Sequence, residues 1–447
     1  MESTESAEFL ERLRAALERL RLPDRVPRYA VAFSGGVDSM ALLAAMLRIA
    51  GNSRVVALHI DHGLHPESAH WAERCARAAD ALGISFQSAR VTIEGGFLHG
   101  PEAAAREARY AALQDLMRSG DVLLTAHHGD DQLETVLLRI LRGSGVRGLT
   151  GIHALAAFGP GHLARPMLEF TRAEIKAQAL RWNLTWIDDP ANAALRFDRS
   201  YLRSRVLPAL HERWPAAQRA AARLTRQMAE AEQVLEEVAA DDARDVDLHR
   251  LPCAHIRGLT SARQGNLLRF VIRALALPVP SSAHLERLRE AILRDHPGGR
   301  AQVRWPGVAA HIYRAHVYLL PSETRPAGLA TAGELAVGRE WRGVRDSLRL
   351  VPAEAGFPDE WARSGIEVRF RSGGERFRPA NHQHSKTLKH WFQENSVVPW
   401  MRDRIPLLFR RETLVGVADL WISEEAQTAS LQGPKWRAEW VDHPPVR

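Results

Sequence analysis

Three consecutive stretches decide how the N-terminal half folds: Arg28-Tyr-Ala-Val-Ala-Phe33, Ser34-Gly35-Gly36-Val37-Asp38-Ser39 and Met40-Ala-Leu-Leu-Ala-Ala-Met-Leu47. They read as a short apolar strand, a glycine turn and an apolar helix. Glycine lets the backbone approach an anion with no Cβ in the way. The first amides of the helix have no internal partner and sit at the positive end of its dipole. Ser34 and Ser39 add hydroxyl donors. Asp38 is out of place beside phosphates unless a divalent cation lies between them. The turn therefore reads as a cradle for the pyrophosphate of ATP, built from Ser34, Gly35, Gly36, Val37, Asp38 and Ser39, with Mg2+ near Asp38. A solvated Gly-Gly turn ending in a helix cap is the plainer alternative, and the flanking strand, helix and serines weigh against it. No Gly-Lys-Ser/Thr follows a glycine loop, so this is not a Walker-type loop.

Working outward, strand-like segments at 28–33, 54–60, 85–91 and 121–126 alternate with helix-like ones at 38–50, 66–82, 101–118 and 130–142. An amphipathic helix over 7–21 precedes them, with Leu10, Leu13, Leu17 and Leu20 at helical spacing. Such alternation specifies an α/β fold with a parallel Rossmann-like sheet and helices on both faces. Ligands of these sheets bind beyond the carboxyl ends of the strands. The Ser34 turn, His59-Ile60-Asp61-His62 and Ala126-His127-His128 then share one rim. Turn signals follow at 159–161 and 188–190, then an Arg-rich helix, and a long exposed helix over 215–240. The expected organisation is a catalytic domain over 1–215, a mainly helical middle domain over 216–330 with a helical segment at 260–295, and a small basic α+β domain over 331–447.

The 447 residues carry 60 Lys plus Arg against 53 Asp plus Glu, a net charge of +7. That excess permits a polyanionic partner without requiring one. Cys75 and Cys253 are the only cysteines and form no C-x-x-C pair, which argues against zinc ribbons, iron–sulfur clusters and a disulfide framework and fits a reducing cytoplasm. The acidic N-terminus is unlike a secretory signal, and no apolar run approaches membrane-spanning length. The oligomeric state, a homodimer included, is not fixed by sequence.

The segment His127-His128-Gly129-Asp130-Asp131-Gln132-Leu133-Glu134-Thr135 follows a strand and opens a helix. Its carboxylates suit a metal or an incoming amine; acids placed to complement the helix dipole are the alternative. Glu102, Arg106, Arg109 and Tyr110 share one broad helix face. Gly143-Ser-Gly145-Val-Arg-Gly148 fits a dinucleotide-binding pattern but ends a helix instead of opening one, so it reads as a glycine stop. Arg196, Arg199 and Arg203 recur at i, i+3 and i+7, with Arg205 nearby, as a basic stripe suited to a nucleic-acid backbone or a solvated face. In the tail, Leu388, Trp391 and Phe392 form an apolar helix face that reads as core, opposite Lys386, Lys389 and Gln393.

The first turn resembles the signature of the N-type ATP pyrophosphatases. The order of the further motifs is similar to that of the tRNA(Ile)-lysidine synthetases: His59-Ile-Asp-His-Gly-Leu64, Glu102 with Arg106 and Arg109-Tyr110, His128 through Thr135, Arg142 through Leu149, and Asp188 through Arg203. Arg371-Ser-Gly-Gly-Glu375, Lys386-Thr-Leu-Lys389, Pro399-Trp-Met-Arg402 and Ile405-Pro-Leu-Leu408 continue the match. The chain departs from the family's usual pattern at His65, Ala191 and Ser200, positions that bear on single tRNA or nucleotide contacts.

The resemblance implies ligation of free L-lysine to C2 of cytidine 34 in the CAU anticodon of an isoleucine tRNA, through an adenylated base, with release of AMP and pyrophosphate. It implies catalytic roles for Asp38, Arg106, Asp131 and Glu134, and nucleotide contacts from His59, His62 and His128. Asp38 and Asp131 would hold metal. Arg196, Arg199, Arg203, Arg205, Arg371, Lys386, Lys389 and Arg402 would touch tRNA. A tRNA thiolase of the same superfamily and a non-catalytic RNA-binding relative are the rival expectations. Thiolases of this fold commonly carry the cysteine pairs that this chain lacks.

Overall fold

The computed structural model describes residues 4–23, 25–61, 63, 68–91, 101–187, 198–294, 300–322, 332–343, 346–429, 433–444 and 446. Contacts divide the chain into two units, Met1–Val234 and Leu235–Arg447.

The first unit runs α1 (Thr4–Arg19), β1 (Tyr29–Ala32), α2 (Val37–Ala50), β2 (Val55–Asp61), α3 (Ser68–Ala81), β3 (Ser85–Arg90), α4 (Pro101–Leu116), β4 (Val122–Leu124), α5 (Gly129–Leu141), α6 (Val146–Leu149), β5 (Leu155–Phe158), β6 (Gly161–Ala164), α7 (Arg172–Arg181), α8 (Asp198–Tyr201), a π-turn (Leu202–Val206), α9 (Leu207–Arg213) and α10 (Ala217–Asp242). The sheet order is β3-β2-β1-β4-β6-β5. All neighbours pair in parallel except β5 with β6. The β5–β6 hairpin turns at Gly159-Pro160, where the sequence signals a turn but no flanking strands.

Side chains alternate across the sheet as a two-residue period demands. Val31, Val55 and Ala57 enter the core shared with α1, α2 and α7, while Ala30, Val56 and Leu58 pack with Leu113 of α4 on the other face. Every residue of α2 from Ser39 to Met46 is buried, so this helix is clamped between sheet and outer helices. Its rigidity passes directly to the turn at its N-terminus. Strand order reverses between β2, β1 and β4, which opens a crevice at their carboxyl ends.

In the second unit, helices Cys253–Arg257, Ser261–Ala274 and Ser282–Leu293 share a core with a four-stranded antiparallel sheet. The expected single helical segment at 260–295 is thus two helices, broken at Leu277-Pro-Val-Pro280. The described residues of 333–441 form antiparallel sheets of five, four and two strands with short helices. Leu388, Trp391 and Phe392 are buried in that core, as their helical spacing predicts.

Candidate active site

The Ser34–Ser39 turn lies between the end of β1 and the N-terminus of α2. Gly36 caps α2 in an extended conformation, and Gly35 adopts φ +81°. A Cβ on Gly35 would lie 2.7 Å from Cys75 Sγ and 2.9 Å from Ile187 Cδ1, so only glycine fits. Ile187 N–H donates to Gly35 O at 2.9 Å and pins the turn from the other side. Ser39 Oγ donates to Gly36 O at 3.0 Å and lies 3.1 Å from Ser34 Oγ, which gathers both hydroxyls at the helix mouth.

Facing this turn is the N-terminus of α5. The His128 N–H donates to Asp131 Oδ2 at 3.0 Å, which closes the first turn and aims the carboxylate. The buried His128 ring places Nε2 3.8 Å from Asp38 Oδ2 and 3.5 Å from Asp131 Oδ2, bridging the two helix N-termini. Arg203, from the π-turn, donates through Nε and Nη2 to Glu134 at 2.7 and 2.9 Å and through Nη2 to Asp131 Oδ1 at 3.2 Å. Asp130 points the other way: it accepts from the Arg172 N–H at 2.8 Å and from Gln218 Nε2 at 3.0 Å.

Ser34, Gly36, Asp38, Ser39, His128, Asp131 and Arg203 line an open cleft of about 850 Å³, walled also by Arg106, Arg109, Tyr110, Thr125, His127 and Arg172. Arg106 leans over the Tyr110 ring at 4.9 Å and donates to its hydroxyl at 3.3 Å. Burial pushes the Asp38 carboxyl up from its ordinary range, against the pull of His128 and Arg172. Asp131 is also buried, yet His128, His127, the His128 N–H and Arg203 together hold it below that range. Burial drives His127 down to about 4, so it is neutral at pH 7. Asp38 Oδ1 is buried without a hydrogen-bond partner, which leaves it a lone pair that fits a cation. Among the described residues no cluster of three His, Cys, Asp or Glu could hold a metal alone. Two hard carboxylates beside a phosphate cradle nevertheless suit Mg2+, which takes one or two carboxylates and completes its shell with substrate phosphates and water.

Sequence comparison bears on the same residues. A PP-loop domain model matches residues 8–210, a TilS substrate binding domain model residues 251–318 and a TilS substrate C-terminal domain model residues 366–440. The tRNA(Ile)-lysidine synthase of Alkalilimnicola ehrlichii is 40% identical over 398 residues, 88% of this chain and 89% of that one. Those of Methylococcus capsulatus and Coxiella burnetii are 35% and 34% identical, over 94% and 91% of this chain and the same shares of theirs. The chain belongs to the tRNA(Ile)-lysidine synthase family.

Within this lysidine synthase family member, the structure brings Ser34, Gly36, Asp38, Ser39, Arg106, His128, Asp131 and Arg203 to one cleft. Gly35 and Val37 shape the turn. His59 does not line the cleft: its ring is buried with Nδ1 2.9 Å from Phe33 O and stacks on Phe86, so it braces the end of β1. Glu134 is engaged by Arg203, whose side chain turns into the cleft and away from the expected outer stripe. His62 and Arg196 lie outside the described residues, as do the side chain of Glu102 and the segment 188–197. Arg402, expected at a tRNA-facing surface, is instead buried, its guanidinium donating to Val397 O at 3.0 and 2.9 Å. Arg371 pairs with Asp403 at 2.9 Å and Lys386 with Glu394 at 2.6 Å, both near the surface. Gly143 terminates α5 at φ +67°, as the glycine-stop reading requires.

Sequence reasoning missed Arg172 and Thr125. Arg172 follows Thr171, which with Glu174 forms a capping box, a legible sign of a helix start but not of its facing a cleft. No helix among the described residues is long and apolar enough to cross a membrane.

Proposed function

We propose that the cleft binds ATP with its β- and γ-phosphates in the Ser34–Ser39 turn, and that the enzyme joins L-lysine to cytidine 34 of an isoleucine tRNA with a CAU anticodon. The C2 oxygen of the cytidine attacks the α-phosphorus, the bond to the bridging oxygen of the β-phosphate breaks, and pyrophosphate leaves. The ε-amine of lysine, delivered neutral, then attacks C2. The C2–O bond breaks, AMP leaves with that oxygen, and the amine sheds a proton. The enzyme is a ligase that forms a C–N bond.

The observation that carries this reading is the juxtaposition of two helix N-termini, one bearing the phosphate turn and the other Asp131, across a single cleft. Backbone amides and hydroxyls of Ser34 to Ser39 take up charge that grows on the leaving pyrophosphate. Asp38 and Asp131 would hold Mg2+, which when bound neutralises phosphate charge. Arg106, on the opposite wall, stabilises the α-phosphate. Asp131, aimed by His128 and Arg203, orients the lysine amine, while Glu134 acts through Arg203. Arg199, Arg205, Arg371, Lys386 and Lys389 contact tRNA phosphates; the surface ion pairs of Arg371 and Lys386 are weak enough to exchange for phosphate. The substrates and two unpaired cysteines fit a cytoplasmic enzyme.

The test supplies ATP, L-lysine and purified isoleucine tRNA bearing a CAU anticodon, and follows pyrophosphate release and incorporation of labelled lysine. Both are expected, with incorporation absent when either lysine or that tRNA is withheld. Modification that ignores lysine and depends on a sulfur donor overturns the reading.

A further inference from the structure

Tyr201 closes α8 with 54% of its surface exposed, an unusual position for a large aromatic side chain. Ile140 and Leu141, at the end of α5, are 51% and 75% exposed. The Arg142–Asp198 ion pair at 3.2 Å ties that end of α5 to the start of α8. Arg199 and Arg205 flank Tyr201 in sequence.

The π-turn gives this patch a fixed frame. The Leu207 N–H donates to Leu202 O, five residues back, and both leucines are buried. In a regular α-helix two residues five apart point in different directions; the extra residue lets both enter the core. The backbone beside Tyr201 is therefore anchored, and Arg203, two residues on and within about 7 Å of chain, turns into the cleft. An aromatic ring on a rigid backbone, edged by arginines and adjacent to a catalytic cleft, has the features that single-stranded RNA recognition uses: a π-face for an unstacked base and cations for its phosphates.

We propose that Tyr201 is a stacking platform for a nucleobase neighbouring the reacting cytidine in the anticodon loop, with Arg199 and Arg205 holding the phosphates beside it. This rests on the tRNA substrate proposed above. Stacking there positions the loop so that one base alone is drawn into the cleft, and it acts on binding more than on the chemical step.

The experiment uses the full-length enzyme and its Tyr201→Ala, Tyr201→Phe and Tyr201→Leu variants. Steady-state kinetics are combined with anticodon stem-loops carrying 2-aminopurine on either side of the reacting cytidine. Tyr201→Ala and Tyr201→Leu are expected to raise KM for tRNA about tenfold, with kcat and KM for ATP within about twofold of wild type, and Tyr201→Phe to restore it. Fluorescence of one of the two probes is quenched by wild type and Tyr201→Phe and not by the other two. The leucine variant keeps bulk without a π-face, so it serves if the alanine variant does not fold. Unchanged KM for tRNA together with unchanged quenching overturns the proposal. Absence of lysine incorporation by wild type, with the probe still quenched, counts against the assigned reaction and not against the platform.

Discussion

Arg203 forks Glu134 through two hydrogen bonds and reaches Asp131 with the same Nη2. One guanidinium thereby links a carboxylate that is 1% exposed to another that faces the cleft, and it is itself only 34% exposed. Removing Arg203 strands a buried charge. Loss of one partner of a buried pair costs about 3–5 kcal/mol, and the partial exposure of Arg203 brings the expectation for Arg203→Ala to about 2–3 kcal/mol. Urea unfolding measures it. Glu134→Gln in the same chain should return part of that loss, and a double-mutant cycle with no coupling contradicts the arrangement.

Asp38→Asn should reduce pyrophosphate release by about 10²–10³-fold, because an amide oxygen beside phosphates binds a cation poorly. Chelation of divalent cations should abolish release in wild type. A variant with near-normal turnover that responds normally to added Mg2+ removes Asp38 from the metal site.

Gly35→Ala places a Cβ against Cys75 Sγ and Ile187 Cδ1 on a left-handed backbone. The expected loss is at least about 2 kcal/mol, with a larger effect on KM for ATP than on folding. Adding Cys75→Ala relieves one contact and neither the other contact nor the backbone strain, so thermal unfolding should show partial rescue. Full rescue would mean that the thiol alone excludes a side chain there.

Acid stability follows from His127. Its ordinary value is 6.5, and burial lowers it to about 4 in the folded chain. Between those values the unfolded chain binds the proton and the native one does not, so stability is whole above pH 6.5 and falls as pH drops towards 4. His311, also lowered to about 4 by burial, adds to the slope in the second unit. Urea midpoints at pH 7 and 5 should separate in wild type and separate less in His127→Gln. An equal separation in both assigns the acid loss to other groups.

α10 is bound to the rest of the first unit by Gln218 donating to Asp130, by Gln132 donating to Thr225 at 3.3 Å and by Arg147 donating to Glu232 at 3.2 Å. A chain ending at residue 215 loses all three and leaves buried Asp130 short of a donor. It should be less stable than one ending at 242 by about 1–3 kcal/mol. Both truncations should discriminate poorly between the isoleucine tRNA and an elongator methionine tRNA with the same anticodon. Equal unfolding midpoints, or full discrimination, would contradict this.

Much of the catalytic unit is legible because its signals are local. The strand expected at 85–91 is found at 85–90, and the helix expected at 130–142 at 129–141, since alternation, glycine stops and polar caps mark their own boundaries. The strand–turn–helix geometry around Ser34–Ser39 is legible for the same reason. Arg203 is not. The i, i+3, i+7 stripe assumes 3.6 residues per turn, and the π-turn at 202–206 inserts one residue and rotates Arg203 inward. Glu134 escapes for a related reason: its partner is supplied 69 residues later, and no neighbouring pattern names it. Arg402 looks like a surface cation until the Val397 carbonyl that it caps is brought beside it.

Cys75, wedged beneath the phosphate turn, has a thiol that burial pushes up to about 12, and Cys253 is buried as well. Alkylating reagents react with thiolates at accessible positions, so the native fold offers them no ready target. A single cysteine engineered onto the surface would become the sole attachment point for a dye or spin label, and the natural protein already supplies the silent background that distance measurements on the bound tRNA require.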